Sequence, residues 1–86
     1  MLSKTYKIAN PQGFHIRPTK LFVEKATVLP CEVHLISKGR RVNGKSSLGM
    51  LTLGLKTHDE VTLEVDGERE AEALDELGEV LTRIYE

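Results

Sequence analysis

Apolar and polar residues alternate without a break in Glu60-Val61-Thr62-Leu63-Glu64-Val65-Asp66, the pattern of a strand with one dry and one wet face. Asp66-Gly67 closes it. Cys31-Glu32-Val33-His34-Leu35-Ile36-Ser37 is a second strand, with Cys31, Val33 and Leu35 on one face. The turn-forming Lys38-Gly39 and the short Arg40-Arg41-Val42-Asn43 follow it, which predicts a hairpin. A weaker strand spans Leu2 to Ile8, with Leu2, Tyr6 and Ile8 on one side and Lys7 on the other. The period becomes helical from about Arg69 to Tyr85, where Leu74, Leu77, Leu81 and Ile84 form a core-facing stripe. Glu68, Glu70 and Glu72 suit the positive end of that helix, and Arg83 its last turn. A second helix is predicted from about Arg17 to Thr27, with Leu21, Phe22 and Ala26 inward. Pro18 stands in its first turn, where a missing N–H costs nothing, and Leu29-Pro30 ends the region. A short third helix, Ser46 to Leu53, follows the turn Asn43-Gly44, with Ser46 as its N-cap.

The order is strand, helix, strand, strand, helix, strand, helix. Short strands joined by a hairpin and by helices predict an α+β domain, an antiparallel sheet with its helices on one face. Eighty-six residues, 40% hydrophobic and 29% charged, suit one soluble domain covering 1–86. The longest apolar stretch, Leu48 to Leu55, is interrupted by Gly49, Thr52 and Gly54. It falls far short of the roughly 20 residues that a membrane-spanning helix needs. The N-terminus has no apolar secretion segment, so a cytoplasmic location is expected. The single Cys31 forms no internal disulfide and supplies no cysteine set for zinc. It reads as a small core residue.

The net charge of −1 hides an asymmetry. Residues 1–56 carry ten Lys and Arg against two acids, a net +8, and residues 57–86 carry eleven acids against two Arg, a net −9. Such a split steers partners. The basic part suits nucleic acid, an anionic ligand or an acidic protein, and composition does not choose among them.

His15 is the first residue with chemistry to offer. In Gly13-Phe14-His15-Ile16-Arg17-Pro18 it lies between a strand and a helix, at a helix N-terminus whose free N–H groups attract anions. The positive end of the helix disfavours an imidazolium there and keeps the ring nucleophilic near neutral pH. Arg17 offers a guanidinium fork that fits phosphate oxygens. A histidine, a cation and free amides together make a phosphate acceptor, and a phosphorylated imidazole releases its group readily, as a carrier requires. The plainer reading is a histidine that caps a helix, beside a Phe14 that staples onto Leu21 or Phe22.

Gly13-Phe14-His15-Ile16-Arg17-Pro18-Thr19 resembles the active-site signature of the HPr family, the histidine-containing phosphocarriers of the bacterial phosphotransferase system. Asn43-Gly44-Lys45-Ser46-Ser47-Leu48-Gly49-Met50-Leu51-Thr52-Leu53-Gly54 is similar to the family's regulatory serine region. The resemblance spans nearly the whole chain. It implies an open-faced β-sandwich, with a four-stranded antiparallel sheet under three helices in the order βαββαβα. It implies that His15 takes a phosphoryl group on Nδ1 from phosphorylated enzyme I and passes it to enzyme IIA proteins for sugar uptake. Arg17 balances the charge, and no metal or organic cofactor takes part. The chain is then a covalent intermediate rather than an enzyme. Ser46 matches the serine phosphorylated by a kinase/phosphorylase, where about −1.5 to −2 of added charge repels an acidic partner. As a plain N-cap it contributes roughly 1 kcal/mol.

Three positions depart from the family's habit. Ile16 and Lys20 stand where small residues are usual, and Ser47 stands where a large aliphatic is common. They bear on which enzyme I and which acceptors fit. The expected docking patch has Phe14, Ile16, Leu48 and Leu51 as its apolar centre, with Arg17, Lys20, Lys45 and Lys25 as its basic rim. At helical spacing Leu48, Leu51 and Leu53 cannot all face inward. A monomer that presents one face to successive partners is expected, with a weak interface. An alternative of a different class is a regulatory module, serving nitrogen or catabolite control through a transcription factor that reads Ser46. A nucleic-acid binder is disfavoured, since the four aromatics (Tyr6, Phe14, Phe22, Tyr85) give no stacking pair on one strand. His34 and His58 have no metal-ligand spacing.

Overall fold

The computed structural model describes residues 1–11 and 13–83. The elements are β1 (Leu2–Lys7), α1 (Ile16–Thr27), β2 (Glu32–Ser37), β3 (Arg40–Asn43), α2 (Ser47–Leu51), β4 (Glu60–Asp66) and α3 (Glu70–Thr82). The four strands form one antiparallel sheet in the order β1-β4-β2-β3. Strand pairing places Val33 opposite Val65 and Leu35 opposite Leu63. With Val61 these side chains are buried on one face, in a core shared with Phe22, Ala26, Leu77, Val80 and Leu81 from the helices. Each of the Val, Leu and Phe side chains among these stabilises the fold by about 1.5–3 kcal/mol when fully buried. The other face is polar, with a Thr5–Thr62 hydroxyl pair and an Arg41–Glu64 ion pair at 2.7 Å. Period-two alternation in β2 and β4 therefore marked the two faces correctly.

Lys38 and Gly39 carry φ values of 55° and 76°, the left-handed pair that a tight two-residue hairpin needs between strands of right-handed twist. β1 ends at Lys7, one residue before the expected Ile8. The Ile8 N–H donates to the Asp59 carbonyl at 2.9 Å, and its carbonyl accepts from His58 N at 2.8 Å. Leu2, expected on the dry face, is 39% exposed at the sheet edge. α2 stops at Leu51 instead of Leu53, because Thr52 is the C-cap and Gly54 takes a left-handed φ of 58°.

The inward face of α3 is Ala73, Leu77, Val80 and Leu81, while Leu74 is only half-buried. Leu74 lies beneath Tyr6, whose hydroxyl donates to the Leu74 carbonyl at 3.3 Å. Gly78 makes room for that tyrosine, since its ring occupies the place of a Cβ. Ile84 and Tyr85 lie outside the described residues. In α1 the buried residues are Pro18, Thr19, Phe22 and Ala26, and Leu21 is half-buried. Cys31 is a buried free thiol, as expected. No helix among the described residues is long and apolar enough to cross a membrane.

Candidate active site

His15 is the N-cap of α1, with extended backbone at φ −80° and ψ −166°. Its Nδ1 accepts from the Arg17 N–H at 3.4 Å, while Nε2 is buried and has no hydrogen-bond partner among the described residues. Nδ1 as acceptor puts the proton of the neutral ring on Nε2. The two nitrogens are thus different chemically: one has its lone pair turned to the open end of a helix, and the other is sealed. The capping reading of His15 holds, and the nitrogen that caps the helix is the one turned away from the sealed side of the ring.

The backbone before His15 is held from several directions. The Gly13 N–H donates to the Asn10 carbonyl at 2.9 Å, and the Phe14 N–H to the Leu55 carbonyl at 3.0 Å. Gly13 has φ 73°, and a Cβ there would lie 2.8 Å from the Leu55 carbonyl oxygen, so only glycine fits without displacing backbone. After His15, its carbonyl accepts from Thr19 N at 3.1 Å. The supporting turn at 56–59 is closed by Asp59, which accepts from Lys56 N at 2.8 Å and pairs with Lys38 Nζ at 3.0 Å. The Lys56 N–H, and then the Lys38 ammonium, hold the Asp59 carboxyl below the usual carboxylate range.

Phe14 is not part of an exposed apolar centre. It is 6% exposed and packs edge-on against Phe22, with ring centroids 6.2 Å apart. An aromatic beside a helix start gains more by closing the core than by facing water, so the staple reading was the correct one for this residue. Ile16 is 69% exposed, Leu48 74% and Leu51 43%, whereas Leu53 is buried. Arg17, Lys20 and Ser47 are exposed as well. α1 packs against α2, so these side chains project from adjacent helices. Lys45 is half-buried, and its ammonium donates to the Leu29 carbonyl at 2.8 Å near the end of α1. That contact removes it from the free basic rim. Lys25 is also half-buried.

Ser46 caps α2, its Oγ accepting from Gly49 N at 3.2 Å. His34 is half-buried on the polar face of the sheet, and His58 is exposed at φ 72°. No cluster among the described residues is arranged to hold a metal ion.

The family model described as the PTS HPr component phosphorylation site matches residues 2–83. The chain belongs to the HPr family. The HPr phosphocarrier protein of Buchnera aphidicola from Acyrthosiphon pisum is 36% identical over 84 residues, covering 98% of this chain and 99% of its own. The HPr-C-His structure from Thermoanaerobacter tengcongensis superposes with a TM-score of 0.89 at 32% identity, covering 94% of this chain and 91% of that one. Bacillus subtilis Crh, a catabolite-repression protein seen as a domain-swapped dimer, has a TM-score of 0.74 at 36% identity over 94% of this chain and 93% of its own. This HPr-family chain is therefore a phosphocarrier of the phosphotransferase system, built as an open-faced sheet with three helices. Asn10, Leu55 and Thr57 belong to the structure around His15, although the motifs did not single them out. Asn10-Pro11 is a turn-marking pair in the sequence, but nothing in the pattern signals that its asparagine is buried.

Proposed function

We propose that His15 Nδ1 accepts a phosphoryl group from phosphorylated enzyme I and delivers it to enzyme IIA proteins of sugar uptake. The observation that carries this reading is the unequal pair of imidazole nitrogens, Nδ1 at the mouth of α1 and Nε2 sealed. As the Nδ1–P bond forms, the bond from phosphorus to the donor breaks, and the second transfer reverses the sequence on a new acceptor. Charge on the transferring group spreads over its equatorial oxygens in a loose transition state. The Arg17 N–H already points at this atom, and the Arg17 guanidinium supplies the balancing charge. The chain turns over nothing by itself and needs no metal or organic cofactor.

The docking face is the exposed apolar group Ile16, Leu48 and Leu51, with Ser47 beside it and Arg17 and Lys20 as the basic rim. A partner with an apolar centre and an acidic rim fits it. One copy of this chain in the cytoplasm, folded as one domain over 1–86, presents that face to each partner in turn.

Phosphate on Ser46 adds negative charge beside Ser47 and Leu48 and weakens the approach of an acidic partner. This makes Ser46 the regulatory site of a kinase/phosphorylase. The likeness to Crh favours a second reading, in which the same serine serves chiefly to recruit a catabolite-control transcription factor. Phosphorus NMR after incubation with phosphoenolpyruvate and enzyme I separates the two. An acid-labile phosphohistidine signal, lost in His15→Ala, is the expected result. A folded protein that stays unmodified at His15 across several enzyme I types, yet takes phosphate at Ser46, refutes the carrier reading.

A further inference from the structure

We propose that Asn10, held in place by Thr57, is a positioning residue for His15; the proposal rests on His15 being the phosphoacceptor. Three polar side chains are buried among the described residues: Asn10, Thr19 and Ser37. Two of them direct their donors at the carbonyls just before His15. Asn10 Nδ2 donates to the Gly13 carbonyl at 2.8 Å, and Thr19 Oγ1 to the Phe14 carbonyl at 3.4 Å. The peptide plane joining Gly13 to Phe14 is thus held at both ends, its oxygen by Asn10 and its N–H by the Leu55 carbonyl.

That plane is the last rigid unit but one before the His15 α-carbon, so its rotation sets where the imidazole points. Asn10 is itself fixed, since its carbonyl accepts from Gly13 N and, at 2.5 Å, from Thr57 Oγ1. Thr57 comes from the turn before β4, 47 residues away in sequence. A fully buried carboxamide costs more than an apolar group of the same size unless its bonds are made. Here those bonds fix one orientation of the loop that carries the nucleophile, which is how a buried polar network specifies geometry. Asn10 touches neither phosphorus nor partner. It acts through Gly13 and Phe14 on the direction of the Nδ1 lone pair.

Asn10→Asp keeps the shape and removes the donor. A misplacement of about 1 Å costs up to roughly 100-fold in a transfer that depends on alignment. The expected result is a fall of at least about tenfold in the single-turnover rate of phosphoryl transfer from enzyme I. KM for enzyme I should stay unchanged, because Ile16, Lys20, Leu48 and Leu51 are untouched. Thr57→Val removes one hydroxyl at a half-buried site and should lower the rate roughly fivefold, the equivalent of one ordinary hydrogen bond. Thr57→Ser, which keeps the hydroxyl, should restore it. Should Asn10→Asp fail to fold, as judged by amide NMR, the Thr57 pair decides. Wild-type rates in Asn10→Asp and Thr57→Val, or a loss in Thr57→Ser equal to that in Thr57→Val, overturn the proposal. Nitrogen NMR of the His15 ring tests it without any phosphoryl donor. Nδ1 should show its acceptor signature in the wild type and lose it in both damaging variants, so a wrong assignment of His15 is distinguished from a wrong assignment of Asn10.

Discussion

Alanine at position 13 offers a matched test of how the loop before His15 is built. Gly13 and Gly39 have nearly the same φ, 73° and 76°, so Gly13→Ala and Gly39→Ala incur a similar left-handed penalty of about 1–2 kcal/mol. Both also restrict the unfolded chain to the same degree, and that contribution cancels between them. What differs is the space. Nothing lies within 4 Å of a Cβ on Gly39, whereas a Cβ on Gly13 meets the Leu55 carbonyl oxygen at 2.8 Å and Lys56 Cα at 3.0 Å. Both obstacles are backbone. Relieving the clash moves the carbonyl that accepts from Phe14 N, and a buried group left unpaired costs about 1–3 kcal/mol. Gly13→Ala should therefore destabilise by about 2–5 kcal/mol and Gly39→Ala by about 1–2, against a total stability of roughly 5–15 kcal/mol. With a urea slope near 1 kcal/mol/M for a domain of this size, the two midpoints should differ by about 1–3 M. Urea unfolding followed by circular dichroism measures this, with the slopes checked for equality. Equal midpoints, or a lower midpoint for Gly39→Ala, would show that the Leu55 contact does not constrain the loop.

Ser46→Ala removes the acceptor for Gly49 N and should lower stability by about 1 kcal/mol; a midpoint identical to the wild type contradicts the cap. Phe14→Ala should cost about 3–5 kcal/mol as a core deletion. Leu48→Ala, 74% exposed, should stay within about 0.5 kcal/mol while weakening enzyme I binding in calorimetry. A reversed order of stabilities contradicts the separation of the buried Phe14 from the exposed Leu48. The Asp59 carboxyl is held below its ordinary value, so its contribution is fully present above the unfolded value of about 3.9 and is lost as pH falls through the lower folded one. The urea midpoints of wild type and Asp59→Asn should converge between about pH 5 and the acid limit below 3.9, and a constant gap across that range refutes the assignment.

The strands and helices were legible wherever a period ran long enough to fix a face, as in Glu60–Asp66 and in the Leu77–Leu81 stretch of α3. The placement of His15, Arg17 and Ser46 at helix starts was legible because it rests on short motifs, which are a local property. Phe14 was open to two readings, inward staple or exposed patch, for the opposite reason. Whether an aromatic in a loop turns in or out depends on Phe22 and on the distant Leu55 strap, and no window around residue 14 contains that information. Lys45 was read from its charge, yet its ammonium is directed by the Leu29 carbonyl at the far end of another helix. Asn10 and Thr57 escaped notice because a hydrogen bond between segments 47 residues apart leaves no periodicity.

The register Leu2↔Val65 and the strap from Leu55 to Phe14 also fix an order of events during synthesis. His15 leaves the ribosome about 40 residues ahead of Leu55 and Thr57, a delay of roughly 2–8 s at ordinary elongation rates. Until that later stretch arrives, β1 has no neighbour and the histidine loop has nothing to dock on. Closing so long a loop is among the slower steps a small chain can take, and it leaves strand edges open meanwhile. The histidine is encoded early and positioned late. A nascent chain therefore displays the histidine motif well before it can orient it, and competence to carry a phosphoryl group should appear only with the closing of the sheet.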